Sequence, residues 1–294
     1  MTGRRGNLSI GTSLAPIAVV KHRLWERGSL VLSTLACTVV LLVCVRGTCV
    51  GGTEAAATED VAIPVLVYHR FGPVVRDSMT VTTKVFARQL QYLAANGYSV
   101  IAARQYVAYR LGKAPPPPRR AVIITADDGH RSVYTDMLPL VMQHRIPVTL
   151  FIYPSAISNA DYALTWEQLR ELQRTGFFDI QSHTYWHPNF KQEKRRLSAH
   201  EYERFVALQL TKARDTIHHE LGVSTDLLAW PFGIFDPDLI KQAESAGYVA
   251  GFTLQRRPAG RSDQLLALPR YLVTNSDTGK AFESLLSAGM RSVP

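Results

Sequence analysis

The sequence contains the stretch Ala121-Val122-Ile123-Ile124-Thr125-Ala126-Asp127-Asp128-Gly129, which predicts an apolar β-strand that ends in two adjacent carboxylates. A short uncharged run rich in apolar residues is typical of a strand in a parallel sheet. Adjacent carboxylates after such a strand are costly unless something neutralises them, and a divalent cation would do so. An Asp-Asp-Gly turn without a special role is also common in proteins, so this motif alone leaves both interpretations open.

Outward from this stretch, short apolar runs alternate with longer runs of helical periodicity, from about residue 63 to the end of the chain. This alternation is the pattern of a single α/β domain built on a parallel sheet or barrel. The predicted strands are 63–68, 98–101, 121–126, 148–153, 178–182, 227–230 and 249–254. The predicted helices are 84–96, 133–144, 166–175, 199–221 and 237–246.

A second motif, Ser182-His183-Thr184-Tyr185-Trp186-His187-Pro188, follows another of the predicted strands. Its two histidines, four residues apart, enter a loop bounded by proline, so both imidazoles can converge on one ion. Two histidines and one aspartate leave at least one coordination position open for water, as a catalytic metal requires. A surface loop with histidines is common by itself, but the two motifs together are a much stronger indication of a metal site.

Other predicted strands also end in residues that can carry chemistry. His69 follows the first strand, and Pro231-Phe232-Gly233 follows the strand at 227–230. In a parallel β/α fold the chemistry gathers at the carboxyl ends of the strands. We therefore expect these residues and the two motifs to lie on one rim of the fold.

The composition of the 294-residue chain is that of a globular protein, with 46% hydrophobic and 19% charged residues. The net charge of +9 is concentrated at the amino terminus, because residues 1–50 hold six of the 33 basic residues and one of the 24 acidic residues. The remainder has no RNA-recognition signature and no tract dense in Lys and Arg. The sequence therefore argues against nucleic-acid binding.

Residues 1–57 have the pattern of an export leader, with Lys21, Arg23 and Arg27 before an uncharged apolar run at 30–45. The length of this run lies between that of a signal peptide core, about 7 to 15 residues, and that of a spanning helix, about 20. We expect either a signal cleaved after Ala55-Ala56-Ala57 or an uncleaved membrane anchor, with a buried core helix as the third interpretation. The first two favour a location outside the cytoplasm, in the periplasm, at the cell surface or in the medium.

All three cysteines, at positions 37, 44 and 49, fall in or just after the apolar run. The predicted domain, residues 61–294, therefore has no disulfide and no thiolate. A metal site in that domain must use histidine and carboxylate ligands.

The segments Thr125-Ala126-Asp127-Asp128-Gly129 and Ser182 to Pro188 resemble the first two motifs of the polysaccharide deacetylase (NodB-homology, carbohydrate esterase family 4) family. The similarity extends over roughly residues 63–270. It implies a distorted (β/α)7 barrel in which Asp128, His183 and His187 bind a divalent metal, Zn²⁺ first and Co²⁺ or Ni²⁺ as alternatives. It also implies that Asp127 is the general base.

The third motif of the family resembles Pro231-Phe232-Gly233, and by that resemblance the backbone N–H of Phe232 donates to a developing oxyanion. A plain Pro/Gly turn is the alternative.

Two features depart from the family pattern. Ala229 stands where an arginine usually orients the base. Arg270, after Leu268-Pro269, is the candidate substitute. The equal alternative is that Arg270 is a surface residue without this role. No Leu-x-x-His near the carboxyl terminus supplies the general acid.

A general acid is still needed, because an amine leaves poorly without a proton. The segment Pro64 to Phe71 resembles the opening of the poly-N-acetylglucosamine deacetylase branch, in which the last family motif is moved to the amino terminus. This resemblance assigns the acid to His69, and a structural histidine at a strand end is the alternative. Among the other histidines, His130 is undecided, and those on predicted helices are expected to be solvated: His144, His200, His218 and His219.

The predicted function is metal-dependent release of acetate from an extracytoplasmic N-acetylglucosamine polymer, first a β-1,6-linked biofilm-type glycan and second peptidoglycan or a chitin-like chain. Aromatic residues around the strand ends suit stacking on sugar rings, although about half are expected to pack the barrel mouth. They are Tyr68, Phe71, Tyr185, Trp186, Trp230 and Phe232. The alternatives are a catalytically silent carbohydrate-binding barrel and a metallohydrolase for another amide, ester or phosphate. The expected partners are an N-acetylated polysaccharide and, through residues 30–45, a membrane.

Overall fold

The computed structural model describes residues 62–287 of the chain. The predicted leader at 1–57 and the three cysteines lie outside the described residues. Between residues 62 and 287, no helix combines the length and the apolar character needed to cross a membrane.

Strands and helices alternate along the described part of the chain. The strands are β1 (Val65–Tyr68), β2 (Arg70–Gly72), β3 (Thr80–Thr82), β4 (Ser99–Val100), β5 (Ala121–Ala126), β6 (Val148–Ile152), β7 (Phe178–Ser182), β8 (Leu227–Ala229), β9 (Ala250–Phe252) and β10 (Tyr271–Leu272). The helices are α1 (Thr83–Ala95), α2 (Ala103–Arg110), α3 (Leu138–His144), α4 (Trp166–Arg174), α5 (Phe190–Arg196), α6 (Ala199–Leu221), α7 (Pro237–Ser245) and α8 (Lys280–Ser287). Short turns of π-helix and 3₁₀-helix lie at Val133–Met137, Pro231–Gly233 and Leu265–Ala267.

The parallel sheet has the strand order β10-β1-β5-β6-β7-β8-β9, and β4 pairs with the start of β5. The strands β2 and β3 form a separate pair. The chain segment that leads into β10 also contacts β9, through a parallel bridge between Phe252 and Leu268. The sheet therefore curls until one segment contacts both of its edges, and the predicted distorted (β/α)7 barrel is confirmed.

The apolar strands of the sheet contribute side chains to hydrophobic clusters on both of its faces. In β5, Ile123 belongs to an inner cluster with Phe151 and Phe252, whereas Val122 and Ile124 belong to the large cluster beneath the helices. Successive side chains of a strand point to opposite faces, so a strand covered on both faces must be apolar throughout. This explains why the sequence shows uninterrupted apolar runs.

The longest helix, α6, begins and ends where the sequence predicts. Ser198 and Glu201 form a reciprocal capping box at its start, and Gly222 ends it in the left-handed conformation with φ of 68°. The predicted helix at 133–144 instead begins as a π-helical turn and continues as α3. Pro139 lies at the junction and has no N–H to donate to the preceding turn, which interrupts the regular hydrogen-bonding pattern.

Three short helices, α2, α5 and α8, are absent from the sequence prediction. In α5 only Phe190 is buried, so the segment has no apolar periodicity to reveal it. The helix is stabilised at its start by the side chain of Asn189, which accepts a hydrogen bond of 3.1 Å from the backbone N–H of Gln192.

Candidate active site

The carboxyl ends of the strands surround a cavity of about 340 Å³. Because neighbouring strands run parallel, residues that follow different strands meet at this rim. All predicted site residues except Arg270 line the cavity, and they do so together with residues that the sequence does not single out. The lining residues are His69, Arg70, Met79, Asp127, Asp128, Tyr153, His183, His187, Trp230, Phe232 and Leu254.

Asp128, His183 and His187 form a compact group of potential metal ligands. Their ligand atoms all lie within 4.8 Å of one another. The Nε2 atoms of both histidines are 3.7 Å from Oδ1 of Asp128. Two ligands bound tetrahedrally to one zinc ion at about 2.0–2.1 Å are roughly 3.3 Å apart, so small side-chain movements suffice to bind an ion.

The hydrogen bonding of His183 and the pKa of His187 suit metal binding. His183 is buried, and its Nδ1–H donates a 2.7 Å hydrogen bond to the carbonyl oxygen of Ala229. This bond leaves the lone pair of Nε2 directed away from the backbone, which is the usual arrangement for a metal-binding histidine. Burial and the adjacent His183 lower the pKa of His187 to about 4, against the charge of Asp128, so the ring is neutral at pH 7.

The backbone at the site is strained. Among the described residues, six that are not glycine have positive φ, and four of them belong to the three site motifs: Asp128 (72°), Thr184 (65°), His187 (60°) and Phe232 (57°). Side chains with a Cβ atom rarely adopt this conformation, and such residues concentrate at functional sites. The segments that follow β5, β7 and β8 each contain at least one residue in this conformation.

Asp127, next to the metal group, has a different environment from Asp128. Both of its oxygens accept hydrogen bonds from the guanidinium of Arg270, at 2.8 and 2.7 Å, and both side chains are buried. Burial by itself raises the pKa of Asp127, but the charges of Arg270 and His183 outweigh it and lower the pKa to about 2. Asp127 is therefore ionised throughout the neutral range.

Arg270 approaches Asp127 from within the barrel. It immediately precedes β10, and its Nε–H donates to the carbonyl oxygen of Thr253 at 3.1 Å. The guanidinium lies against the neighbouring rings of Phe151 and Phe252, with its central carbon 5.5 and 5.9 Å from their centroids. These contacts fix the plane of the guanidinium, which a bidentate pair with a carboxylate requires.

His69 directly follows β1 and precedes the two aspartates in the sequence. It is 9% exposed, and its Nδ1 is buried with no hydrogen-bond partner among the described residues. Burial lowers the pKa of His69, against the opposing charges of Asp127 and Asp128. His69 itself lines the cavity, so its side chain can contact a ligand bound there.

The turn after β8 presents Phe232 at the cavity. The N–H of Gly233 donates to the carbonyl oxygen of Trp230 at 2.8 Å, which holds the turn closed. No hydrogen bond joins the N–H of Phe232 to another residue between 62 and 287. The side chain of Phe232 is 56% exposed, and its ring lies 4.6 Å from that of His187.

Comparisons with known proteins find similar sequences and folds among deacetylases. The family model described as polysaccharide deacetylase matches residues 114–251. The poly-β-1,6-N-acetyl-D-glucosamine N-deacetylase of Staphylococcus epidermidis is 27% identical over 212 residues, which are 70% of this chain and 71% of the relative. The chain is similar to polysaccharide deacetylases over residues 114–251, which are just under half of its length. The predicted family and enzyme class, a polysaccharide deacetylase, are confirmed.

Solved structures of deacetylases have the same fold. IcaB from Ammonifex degensii is 25% identical with a TM-score of 0.67, over 78% of this chain and 97% of that structure. The deacetylase PplD of Streptococcus pyogenes is 21% identical with a TM-score of 0.69, over 77% of this chain and 99% of that structure.

The aromatic residues of this deacetylase divide as expected into core and rim. Tyr68, Phe71 and Trp230 are buried, Tyr185 is half-buried, and Trp186 and Phe232 are exposed. Tyr153, which follows β6 at the same rim, also lines the cavity and is not among the predicted site residues. Its ring lies 5.4 Å from that of His187. Its position directly after β6 could have indicated a site residue, but the predicted strand, 148–153, included it.

The other histidines between residues 62 and 287 are not members of the metal group. His130 lines a neighbouring cavity, where its Nδ1 is 2.8 Å from the hydroxyl of Ser132. His200, His218 and His219 are exposed, and His144 is half-buried.

Proposed function

We propose that this protein is a metal-dependent N-deacetylase that releases acetate from an extracytoplasmic N-acetylglucosamine polymer. The observation that carries the proposal is the presence of two carboxylates with different partners at one cavity. Asp128 faces two imidazoles, whereas Asp127 is paired with Arg270. A site that only binds a metal has no need of a second ionised carboxylate, whereas a site that activates water does.

Asp128, His183 and His187 would hold the metal. Two imidazoles and a carboxylate favour Zn²⁺, with Co²⁺ and Ni²⁺ as alternatives. When bound, such an ion polarises the acetamide carbonyl and lowers the pKa of a coordinated water from about 15.7 to about 7.

The other residues divide the proton transfers between them. Asp127 accepts a proton from the attacking water, and Arg270 acts as a positioning residue that holds the carboxylate in one orientation. The backbone N–H of Phe232 donates to the carbonyl oxygen as that oxygen gains negative charge. His69 donates a proton to the departing amine, and its burial makes the protonated ring a stronger acid.

The preferred substrate of the proposal is a β-1,6-linked N-acetylglucosamine polymer. Two observations support it: His69 follows the first strand, as in the branch that the sequence resembles, and the Staphylococcus epidermidis relative is named for this polymer. Peptidoglycan and chitin-like chains are the second choice. The exposed rings of Trp186 and Phe232 are surfaces on which sugar rings can stack.

The proposed location is outside the cytoplasm, with residues 61–294 as the deacetylase domain. The basic and then apolar pattern of residues 1–57 supports export, either as a cleaved signal or as a membrane anchor at 30–45.

The silent carbohydrate-binding alternative rested on the missing arginine at Ala229. Arg270 now provides Asp127 with an arginine partner, which weakens that alternative. A metallohydrolase for another amide, ester or phosphate would use the same metal group. Only a comparison of substrates distinguishes such an enzyme from the proposed N-deacetylase.

Acetate release from two N-acetylglucosamine pentamers, one β-1,6-linked and one β-1,4-linked, tests the proposal. We expect faster release from the β-1,6-linked pentamer, loss of release with a chelator and recovery on addition of Zn²⁺. Faster release from the β-1,4-linked pentamer would move the substrate to the chitin-like class. No release from either pentamer with Zn²⁺ present would contradict deacetylation.

A further inference from the structure

A second cavity, of about 280 Å³, adjoins the candidate active site. It lies between the loop that follows β2 and the segment that follows Gly129. Arg70 lines both cavities, so a polymer with one sugar in the first can place the next sugar in the second. The charged and titratable residues that line the second cavity are Arg70, Arg76, Asp77, His130, Arg131 and Asp136.

The acidic group nearest to the active site is already engaged. Oδ1 of Asp77 accepts hydrogen bonds from the backbone N–H of Met79 at 3.0 Å and from the hydroxyl of Thr80 at 2.9 Å. Its Oδ2 forms an ion pair with Arg70. The carboxylate of Asp77 therefore holds the loop in place and has little capacity left for a ligand.

The second acidic group is engaged in the same way. One oxygen of Asp136 accepts from the hydroxyl of Thr83 at 2.9 Å, and the other accepts from the hydroxyl of Thr135 at 2.6 Å. Both carboxylates thus stabilise the walls of the cavity through contacts with their own neighbours.

The basic groups, in contrast, are available. Arg76 and Arg131 are exposed, and neither forms an ion pair with another residue in the range 62–287. The Nε–H of Arg70 is buried and has no hydrogen-bond partner in the same range. The free polar groups of the cavity are therefore mostly cationic donors, which suit an acceptor-rich ligand and repel a cation.

We propose that this cavity is a subsite for the sugar next to the reacting unit, and that Arg76 and Arg131 select that sugar by its charge. The inference rests on the proposed deacetylase function. A neighbouring unit that keeps its acetyl group is neutral and is accepted, whereas a unit already converted to an ammonium group is repelled. The enzyme therefore reacts at units with acetylated neighbours, which spaces the free amines along the polymer.

The expected size of the effect follows from electrostatics. At a separation of about 6 Å in a water-like dielectric, each guanidinium changes the binding constant for a unit charge by roughly three-fold. Two unpaired guanidinium groups together give about ten-fold. The effect weakens at high ionic strength because the groups are exposed.

A set of trisaccharides that differ at one nitrogen tests the charge selection. The nitrogen of one terminal unit carries an acetyl group, a free ammonium group or a succinyl group, which are neutral, cationic and anionic. Each modification is made at either end of the trisaccharide, and binding to the metal-free whole chain is measured so that nothing turns over. We expect succinyl to bind best and ammonium worst for one of the two ends, with about ten-fold between each of them and the acetylated form and about 100-fold between the two.

The variant Arg76→Gln/Arg131→Gln should bind all three trisaccharides within about two-fold of one another. Arg88→Gln is the control, because Arg88 is exposed on α1 and lines neither cavity. Two results would overturn the subsite. One is that the unchanged protein binds the three trisaccharides equally, whichever end is modified. The other is that the double variant keeps the order of affinities of the unchanged protein. Acetate release from the fully acetylated trisaccharide with Zn²⁺ tests the deacetylase function separately. If binding follows the order of charge but no acetate is released, only the deacetylase function is contradicted.

Discussion

Arg270 donates two parallel hydrogen bonds, 2.8 and 2.7 Å long, to the two carboxylate oxygens of Asp127. The two residues are 143 positions apart in the chain. Their contact connects the end of β5 with the start of β10 inside the barrel. In the family pattern that the sequence resembles, the arginine comes from the third motif, where this chain has Ala229. The pairing thus gives the carboxylate an arginine partner from a different strand.

Replacing Arg270 with lysine should keep the positive charge but lose the planar fork. We expect acetate release to fall by about 10- to 100-fold, mainly in kcat, because a misplaced catalytic group reduces rate more than binding. The metal content should be unchanged. Arg257→Lys is the matched control, since the exposed Arg257 pairs with Asp263 and does not line the cavity, and it should retain activity. Full activity of Arg270→Lys would show that orientation of Asp127 is unimportant.

Gly233→Ala should disturb the turn that presents the N–H of Phe232. A Cβ at Gly233, where φ is 66°, would lie 2.8 Å from the backbone nitrogen of Leu254. We expect kcat to fall by about 10²-fold, as when a donor to an oxyanion is displaced. Gly222 has a similar φ of 68° but open space around its Cβ position. Gly222→Ala should cost roughly 1–2 kcal/mol of stability and leave kcat unchanged, so equal kcat values in the two variants would contradict the role of the turn.

His183→Ala should remove the metal. The change deletes one of three ligands and leaves the carbonyl oxygen of Ala229 without its 2.7 Å hydrogen bond. We expect metal content measured by elemental analysis to fall to near zero after dialysis, and acetate release to fall with it. His218→Ala, at an exposed position on α6, should retain both. Retention of one metal per chain in His183→Ala would exclude this residue as a ligand.

His69→Ala should slow turnover and spare the metal. A general acid contributes about 10²- to 10⁴-fold, and we expect a loss of kcat in that range with metal content unchanged. An ester substrate with a good leaving group needs no proton at departure, so the variant should hydrolyse it at close to the normal rate. An equal loss on both substrates would indicate that His69 supports the site structurally.

The positions of the site residues that come directly after strands could be predicted from the sequence. The apolar run before Asp127 predicts β5 to the residue, and His69, His183 and Phe232 follow their strands as parallel topology requires. The Arg270 contact was harder to predict, because nothing local distinguishes a buried arginine from a surface one. Its partner becomes evident only when β10 pairs with β1 and the guanidinium packs against Phe151 and Phe252.

Elements stabilised by polar contacts were the least predictable part of the fold. The β2–β3 pair and the helix α5 have little apolar periodicity, and specific contacts such as the Asn189 cap hold them. Tyr153 was assigned to a strand because an aromatic residue at a strand end is as consistent with packing as with a site. The cavity beside Arg70 likewise depends on which charges are already paired, and a sequence does not reveal pairing.

The division of labour between the two aspartates is the central claim, and one paired measurement tests it most directly. Metal content and acetate release are measured on the same preparations of Asp127→Asn and Asp128→Asn. We predict that Asp127→Asn keeps one metal per chain and loses at least about 10²-fold in acetate release, whereas Asp128→Asn loses the metal as well. Acetate release by Asp127→Asn within two-fold of the unchanged enzyme, with the metal bound, would contradict the account.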